Sequence, residues 1–402
     1  MKSKKKWIIV TVILLIITNS ITFVFSNAGS IFLASKSLVL GVNQYEDYKS
    51  FGKMFYVEDL LSKFYYEDVD KDLLVEGAIK GMTNALNDPY TVFMNKDEYE
   101  EMNKMTTGYY TGIGVVMEFK DSKIYVSTVY DGSPAQGAGV LQGDIIEKVN
   151  GESVSNIKDN EISSKVMGEE GTDVTLTFYR EGEGSIDLTM TRKNISIDPV
   201  ESEMINDNIG YLRLSIFNEN SSESFKTNLD DLNSKGMKGL ILDLRGNPGG
   251  GLRECINIAS NFIEKDKTVV STIDNAGNEN LYESNGGDYL KLPVVILIDA
   301  NSASASEVLT GALRDYEKAT LVGEKSFGKG IVQTIIETGD GTALKVTFSK
   351  YYTPSGENIH GIGIEPEYKV SYPEELLENQ YSRAEDPQYN KALDLMKGIL
   401  DK

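Results

Sequence analysis

The chain has 402 residues, of which 40% are hydrophobic and 25% charged, the balance of ordinary globular protein in a length that exceeds one core. Its formal net charge of −21 excludes the basic footprint of a nucleic-acid binder. A single histidine, His360, and a single cysteine, Cys255, exclude an internal disulfide and a multi-ligand Cys/His metal site, so only a carboxylate metal site stays open.

Lys2, Lys4, Lys5 and Lys6 precede an apolar run from Trp7 to Phe25. At about 1.5 Å per residue this run approaches a hydrocarbon core of about 30 Å, and the basic flank predicts a cytoplasmic start with everything after Phe25 outside. A cleaved signal peptide is the alternative, although no clean A-x-A site stands near Ser26-Asn27-Ala28. Both readings export the body. One leaves it at the cell membrane as a single-pass protein with the body extracellular, and the other secretes it.

Residues from about 45 to 105 read as helical: Leu73, Leu74, Ala78, Ile79 and Met82 recur at three- and four-residue steps, and Pro89 breaks the pattern. From about 108 to 192 the texture is that of a small β-rich domain, with Ile113-Gly114-Val115-Val116, Ile124-Tyr125-Val126 and Val174-Thr175-Leu176-Thr177-Phe178 as short strands between Gly, Asp and Ser turns. A mixed α/β region follows from 193 to 371. Its apolar runs Leu240-Ile241-Leu242-Asp243-Leu244 and Val294-Val295-Ile296-Leu297-Ile298 read as buried strands, each leading into a small-residue loop and then a helical pattern. The charged stretch 372–402 ends in a predicted helix from Asn390 to Leu400. The organisation is therefore multidomain α+β: segment 1–26, a helical region 27–107, a β-rich domain 108–192, an α/β core 193–371 and a helical extension 372–402.

Three loops hold the candidate chemistry. Ala300-Asn301-Ser302-Ala303-Ser304-Ala305-Ser306-Glu307 places a serine at a helix start, where free backbone N–H groups and the positive end of the dipole suit an oxyanion. Ser304-Ala305-Ser306-Glu307 is equally a capping box that needs no catalysis. Asp243-Leu244-Arg245-Gly246-Asn247-Pro248-Gly249-Gly250-Gly251 follows a buried strand with unobstructed N–H groups, suiting either the other half of an oxyanion hole or a plain turn. A phosphate-binding loop is disfavoured, since no Gly-Lys-Ser/Thr follows. In Gly323-Glu324-Lys325-Ser326-Phe327-Gly328-Lys329-Gly330-Ile331-Val332-Gln333, a lysine can act as base where histidine is scarce, provided burial disfavours its charged form. Lys329, between two glycines, suits this role, whereas Lys325 beside Glu324 suits a solvated ion pair; a surface lysine is the plain alternative for both.

These segments resemble the carboxy-terminal processing (tail-specific) serine proteases: Asn-Ser-Ala-Ser-Ala-Ser-Glu at 301–307, Gly-Lys-Gly-Ile-Val-Gln at 328–333 and Asp-Leu-Arg-Gly-Asn-Pro-Gly-Gly at 243–250. The resemblance implies Ser304 as nucleophile, Lys329 as general base and Gln333 as the residue orienting that lysine. It also implies oxyanion donors from Gly249, Gly250 and the Ala305 amide, and a core of crotonase/Clp-protease-like type without a cofactor. Asp315 is structural on this reading, and His360 has no catalytic role. Gly108-Tyr109-Tyr110-Thr111-Gly112-Ile113-Gly114 resembles the carboxylate-binding loop of a PDZ domain, with Thr111, Gly112, Ile113 and Gly114 as peptide-binding positions, and Gly132 to Gly151 resembles its core signature. Leu74 to Met82 and Asp88-Pro89-Tyr90 are similar to the family's N-terminal helical region. Implied partners are protein or peptide C-terminal tails, a second copy in a homodimer, and the membrane through the N-terminal segment, but no nucleic acid. The chain departs from some relatives at Val166-Met167-Gly168-Glu169-Glu170-Gly171, which lacks the basic residue that couples peptide binding to activation. Cys255 reads as a buried apolar residue. The competing functions are a silent PDZ scaffold that binds tails without turnover and an acyl-transfer enzyme acting on small thioesters.

Overall fold

The computed structural model describes residues 31–32, 39–40, 42–120, 123–130, 132–155, 159–196, 198–377 and 382–402. The basic N-terminus and the apolar run to Phe25 lie outside the described residues, and among the described ones no helix is long and apolar enough to cross a membrane. The chain divides into two compact units, Met1–Asn87 and Asp88–Lys402.

In the first unit a two-stranded ladder, Ile31–Phe32 against Val39–Leu40, precedes helices Val42–Phe64 and Lys71–Asn84. The ladder interrupts the expected helical region where β-branched and aromatic residues favour extended backbone. Asp70 caps the second helix by accepting the amides of Asp72 and Leu73 at 2.9 and 3.2 Å.

The second unit begins with a further departure. Residues 92–94, expected to be helical, form the strand Val92–Met94, which pairs with residues 343–345 of the long strand Thr342–Tyr352. Phe93 and Met94 are buried there, and tertiary burial overrides the local helical pattern. Helix Lys96–Thr107 follows and closes at Gly108, whose φ of 72° lies in the left-handed region.

The β-rich domain is an antiparallel sheet in the order Gly184–Thr191, Asp173–Arg180, Ile145–Val149, Lys123–Val129, Val115–Lys120, covered by helices Pro134–Ala138 and Asp159–Val166. Its core is the inward set Ile124, Val126, Ile146, Val149, Val174, Leu176 and Phe178. The run 113–116 is not one strand. Tyr109–Gly112 and Val115–Lys120 are separate, with Gly114 at φ 81° between them. Tyr109–Gly112 pairs instead with Lys193–Ser196, so the two ends of the domain meet in one ladder before the chain enters the core.

Two sheets build that core. The first runs Val200–Met204, Ile209–Leu214, Gly239–Asp243, Val294–Ile298, Ala319–Gly323, Tyr368–Lys369, and is parallel from its second strand onward. Its central strands are buried on both faces, which explains their unbroken apolar runs. Helices Ser221–Ser234, Leu252–Ser260 and Ala305–Asp315 contribute to the large cluster on one side, and helix Pro387–Leu400 covers the other through Tyr389, Ala392 and Met396. Arg245 ties that last helix down: its guanidinium donates to Asp243 and, at 2.7 Å, to the fully buried Asp386. The second sheet runs Glu279–Glu283, Thr268–Asp274, Thr342–Tyr352, Ile331–Gly339. Its outer strand starts two residues after Lys329.

Candidate active site

The site is assembled at the carboxyl ends of the parallel strands. Leaving Val294–Ile298, the chain turns through Asp299 to Ala303 and starts a helix at Ser304. Ser304 has φ 55° and ψ −113°, a region that costs a non-glycine residue about 1–3 kcal/mol and persists only where its surroundings over-determine it. Four bonds do so. Its N–H donates to Glu307 at 2.9 Å, and its carbonyl accepts from the amides of Glu307 and Val308 and from the Tyr351 hydroxyl.

The glycine loop after Gly239–Asp243 lies against this turn. Ser302 Oγ donates to Leu244 O at 2.8 Å, while Ala303 N and Ser306 Oγ both reach Asn247 O at 3.0 Å. Gly249 is admitted only because it lacks a side chain: a Cβ there would stand 2.8 Å from Ser304 Cβ and 2.9 Å from Ala305 N. Gly250, at φ 141°, approaches Phe217 so closely that a Cβ would come within 2.3 Å of its carbonyl oxygen. The sequence motifs at 243–250 and 301–307 thus meet in one place. Their amides are not equivalent, because Gly249 N–H donates to the buried Asn247 Oδ1 at 2.9 Å.

Lys329 is joined to Ser304 through Glu307. The Glu307 carboxylate is wholly buried; one oxygen accepts from Ser304 N (2.9 Å) and Lys329 N (2.8 Å), the other from Gly328 N (2.7 Å) and Ser326 Oγ (2.6 Å). The Tyr351 hydroxyl makes a second bridge, donating to both the Ser304 and Lys329 carbonyls. Burial, reinforced by the Glu307 charge, holds the Tyr351 phenol well above the ordinary tyrosine range, so it stays a donor.

The Lys329 amine is half-buried, 4.9 Å from the centre of the Tyr90 ring. Burial holds it below the ordinary lysine value, repulsion from Lys345 adds to this, and Glu307 and Asp88 pull the other way. No hydrogen bond joins the amine to the Ser304 hydroxyl in this arrangement. Gln333 is half-buried on the next strand with its Nε2 directed at Ile331 O, at 3.4 Å, rather than at Lys329.

The remaining expected residues take their places around this centre. Lys325 pairs with Glu365 at 3.5 Å, not with the adjacent Glu324 as its neighbourhood suggested, because the turn brings 365 alongside it. Asp315 accepts from Arg314 and from Ser355 N at 2.9 Å, a structural role. His360 is exposed in a turn. Cys255 is fully buried, its thiol pushed well above the ordinary value by burial. In the β-rich domain, Ile113 and Gly114 line a groove with Tyr110, Val115, Met117, Val166 and Met167, between the edge strand Val115–Lys120 and the helix Asp159–Val166. Thr111 and Gly112 lie on the strand that leads into it.

Glu307, Tyr351, Tyr90 and Lys345 were not singled out in the sequence as parts of a site. For Glu307 the local pattern signals only the capping box, and its bonds to residues 326–329 have no local signature. Glu307→Gln keeps the shape but turns an N–H₂ toward two of the four donors. It should lower unfolding free energy by at least about 2 kcal/mol in chemical denaturation. A value within about 0.5 kcal/mol of the parent, the range of ordinary surface changes, would refute the clamp.

The chain is similar to known proteins over most of its length. Residues 208–370 match peptidase family S41, residues 125–180 match the PDZ domain, and residues 26–98 match the activating protease CtpB N-terminal domain. The carboxy-terminal processing protease CtpA of Bacillus subtilis (strain 168) is 37% identical over 355 residues, covering 88% of this chain and 76% of the relative. A "Probable CtpA-like serine protease" of Staphylococcus haemolyticus (strain JCSC1435) is 36% identical over 399 residues, covering 97% of this chain and 79% of the relative. An S41 protease structure from Bacteroides fragilis covers 86% of this chain and 97% of its own at a TM-score of 0.54, and its 18% identity speaks to the fold alone. The chain belongs to peptidase family S41, among the carboxy-terminal processing proteases, and contains a PDZ domain.

Proposed function

We propose that the chain is a serine endopeptidase that cleaves exported proteins near their C-termini with a Ser304–Lys329 dyad, Gln333 orienting the lysine once its amide turns away from Ile331. One observation carries the reading: a strained serine at a helix start and a half-buried lysine of lowered basicity are fixed by the same buried carboxylate, beside a glycine loop. Ser304 Oγ attacks the scissile carbonyl carbon while its proton passes to neutral Lys329. The oxyanion is held by backbone N–H groups. Of the three expected donors, Gly250 and Ala305 suit the task directly, whereas Gly249 would first have to leave Asn247. Protonated Lys329 then gives its proton to the departing amine, and water, activated by the same lysine, releases the acyl group from Ser304.

Substrate tails belong to the PDZ groove. Val115–Lys120 is the edge of its sheet, so an extended peptide can add to it as a strand, with its terminal carboxylate at the loop of Thr111, Gly112, Ile113 and Gly114. The crotonase/Clp-protease-like type of core, the homodimer and the domain limits 108–192, 193–371 and 372–402 belong to the same reading. So does export, by an uncleaved anchor or a cleaved signal peptide.

Four measurements test this. Ser304→Ala and Lys329→Ala should each abolish cleavage of casein, an unfolded model protein, while leaving the melting temperature near that of the parent; substantial activity in either purified variant sinks the dyad. Because the neutral amine is the active form and its folded pKa is lowered, activity should rise with pH through a value below the ordinary lysine value of about 10.4, and a flat profile would count against the mechanism. A peptide with a free C-terminus should bind the PDZ groove at least about tenfold tighter than its amidated twin, and equal affinities would exclude carboxylate recognition. Fractionation of expressing cells should find the body at the membrane or in the medium; cytoplasmic protein would contradict export. Tail binding without any turnover would favour the silent scaffold.

A further inference from the structure

Tyr90 stands on a turn that is bonded both internally and to the core. Thr91 N–H donates to the Asp88 carbonyl at 3.2 Å, closing the turn with Pro89, whose ring fixes φ, at its second position. The Asp88 carboxylate accepts Tyr90 N–H at 2.9 Å and the Thr91 hydroxyl at 2.7 Å. Thr347 N–H donates to Thr91 Oγ1 at 3.1 Å, and Val92–Met94 runs on from the turn into its ladder with Thr342–Tyr352. Lys329 is fixed independently, its N–H donating to Glu307 and its carbonyl accepting from Tyr351. Between these two anchored backbones the Lys329 amine lies over the Tyr90 ring, 4.9 Å from its centre, and both residues are half-buried. That is inside the roughly 6 Å at which the negative face of a ring attracts a cation.

We propose that Tyr90 is a positioning residue for proton transfer: its ring face steadies the ammonium that Lys329 becomes on taking the Ser304 proton, and so lowers the barrier to attack. In that step the Ser304 O–H bond breaks and an N–H bond forms on Lys329. The serine oxygen bonds to the substrate carbonyl carbon, whose π pair moves to the oxyanion. The groups around the amine leave this task to the ring. Glu307 on the nucleophile helix and Asp88 on the turn favour the ammonium, Lys345 on the neighbouring strand opposes it, and Tyr351 presents an uncharged phenol. Both carboxylates are occupied elsewhere, Glu307 by four donors and Asp88 by Tyr90 N–H and Thr91. Among the described residues no carboxylate forms an ion pair with the amine, so the ring is the cation-attracting group that lies against it. A ring attracts a cation less strongly than a buried carboxylate partner does, so the amine can rest neutral and still be met when it becomes charged.

The inference rests on the dyad reading, and the pH profile lets the two fail separately. Where Lys329 is already protonated, resting enzyme and transition state both carry the ammonium, and a weaker ring affects them equally. Where Lys329 is neutral, only the transition state carries it. A ring that steadies the ammonium therefore acts on the alkaline plateau and not on the acidic arm, whereas a merely structural ring acts on both alike. The full chain with Tyr90→Phe is the reference. It is compared with chains carrying, at the same position, phenylalanine with one, two or three ring fluorines, which drain charge from the ring face and barely change its size. The measurement is kcat/KM for casein cleavage from about pH 6 to about pH 10, spanning the lysine titration. The plateau should fall in order of fluorination, by about fivefold at three fluorines, while the acidic arms superimpose. Should Tyr90→Phe fail to fold, Tyr90→Trp and its ring-fluorinated forms replace the series. A plateau that holds, or a loss no larger at alkaline than at acidic pH, overturns the proposal and leaves the dyad intact, provided that Lys329→Ala is inactive throughout. Activity in Lys329→Ala would remove the dyad and this proposal with it.

Discussion

The buried carboxylate of Glu307 is the constraint on which the site depends. A carboxylate taken wholly out of water is costly unless its lone pairs are filled, and no cation fills them here. Four donors do, from Ser304, Ser326, Gly328 and Lys329. The cost of leaving any donor or the carboxylate unmatched therefore falls on the relative placement of the two segments that carry serine and lysine. This is how a backbone as unfavourable as that of Ser304 is held, since moving it would break a charge-assisted bond inside the protein.

The same carboxylate sets an electrostatic problem. By standing near Lys329 it favours the ammonium, the form that cannot accept a proton. Burial opposes this, and Lys345 opposes it further. Position and charge balance are thus met by different residues: the anion fixes the backbone, while desolvation and a like charge disfavour the ammonium. Tyr351 fits the division. Its neutral hydroxyl bridges the Ser304 and Lys329 carbonyls without adding charge to the balance.

Much of this was legible in the sequence, for physical reasons that differ by residue. The strands Gly239–Asp243 and Val294–Ile298 are buried on both faces, so they appear as unbroken apolar runs, and the loops after them stand out as glycine and serine clusters. Gly249 and Gly250 are visible because nothing larger fits. What the sequence hid was contact made across long separations. Val92–Met94 reads as part of a helical stretch until Thr342–Tyr352 pairs with it. Lys345 reads as an ordinary strand lysine until that pairing sets it beside Val92. Glu307 reads as a helix cap, and its bond to Ser304 N is the capping-box arm; its bonds to residues 326–329 come from a loop that no local pattern connects to it.

The backbone also bears on which substrates such an enzyme can use. On the proposed reading the PDZ groove offers an edge strand to the substrate, and the oxyanion donors would be amides of a tight loop and a helix start. Both require substrate backbone with its own N–H and C=O groups free, and a folded protein has already committed these to its own helices and sheets. A disordered C-terminal tail has them available and loses only chain entropy on docking. On the proposed reading, selectivity for tails then needs little sequence recognition. It follows from two sites that bind extended main chain.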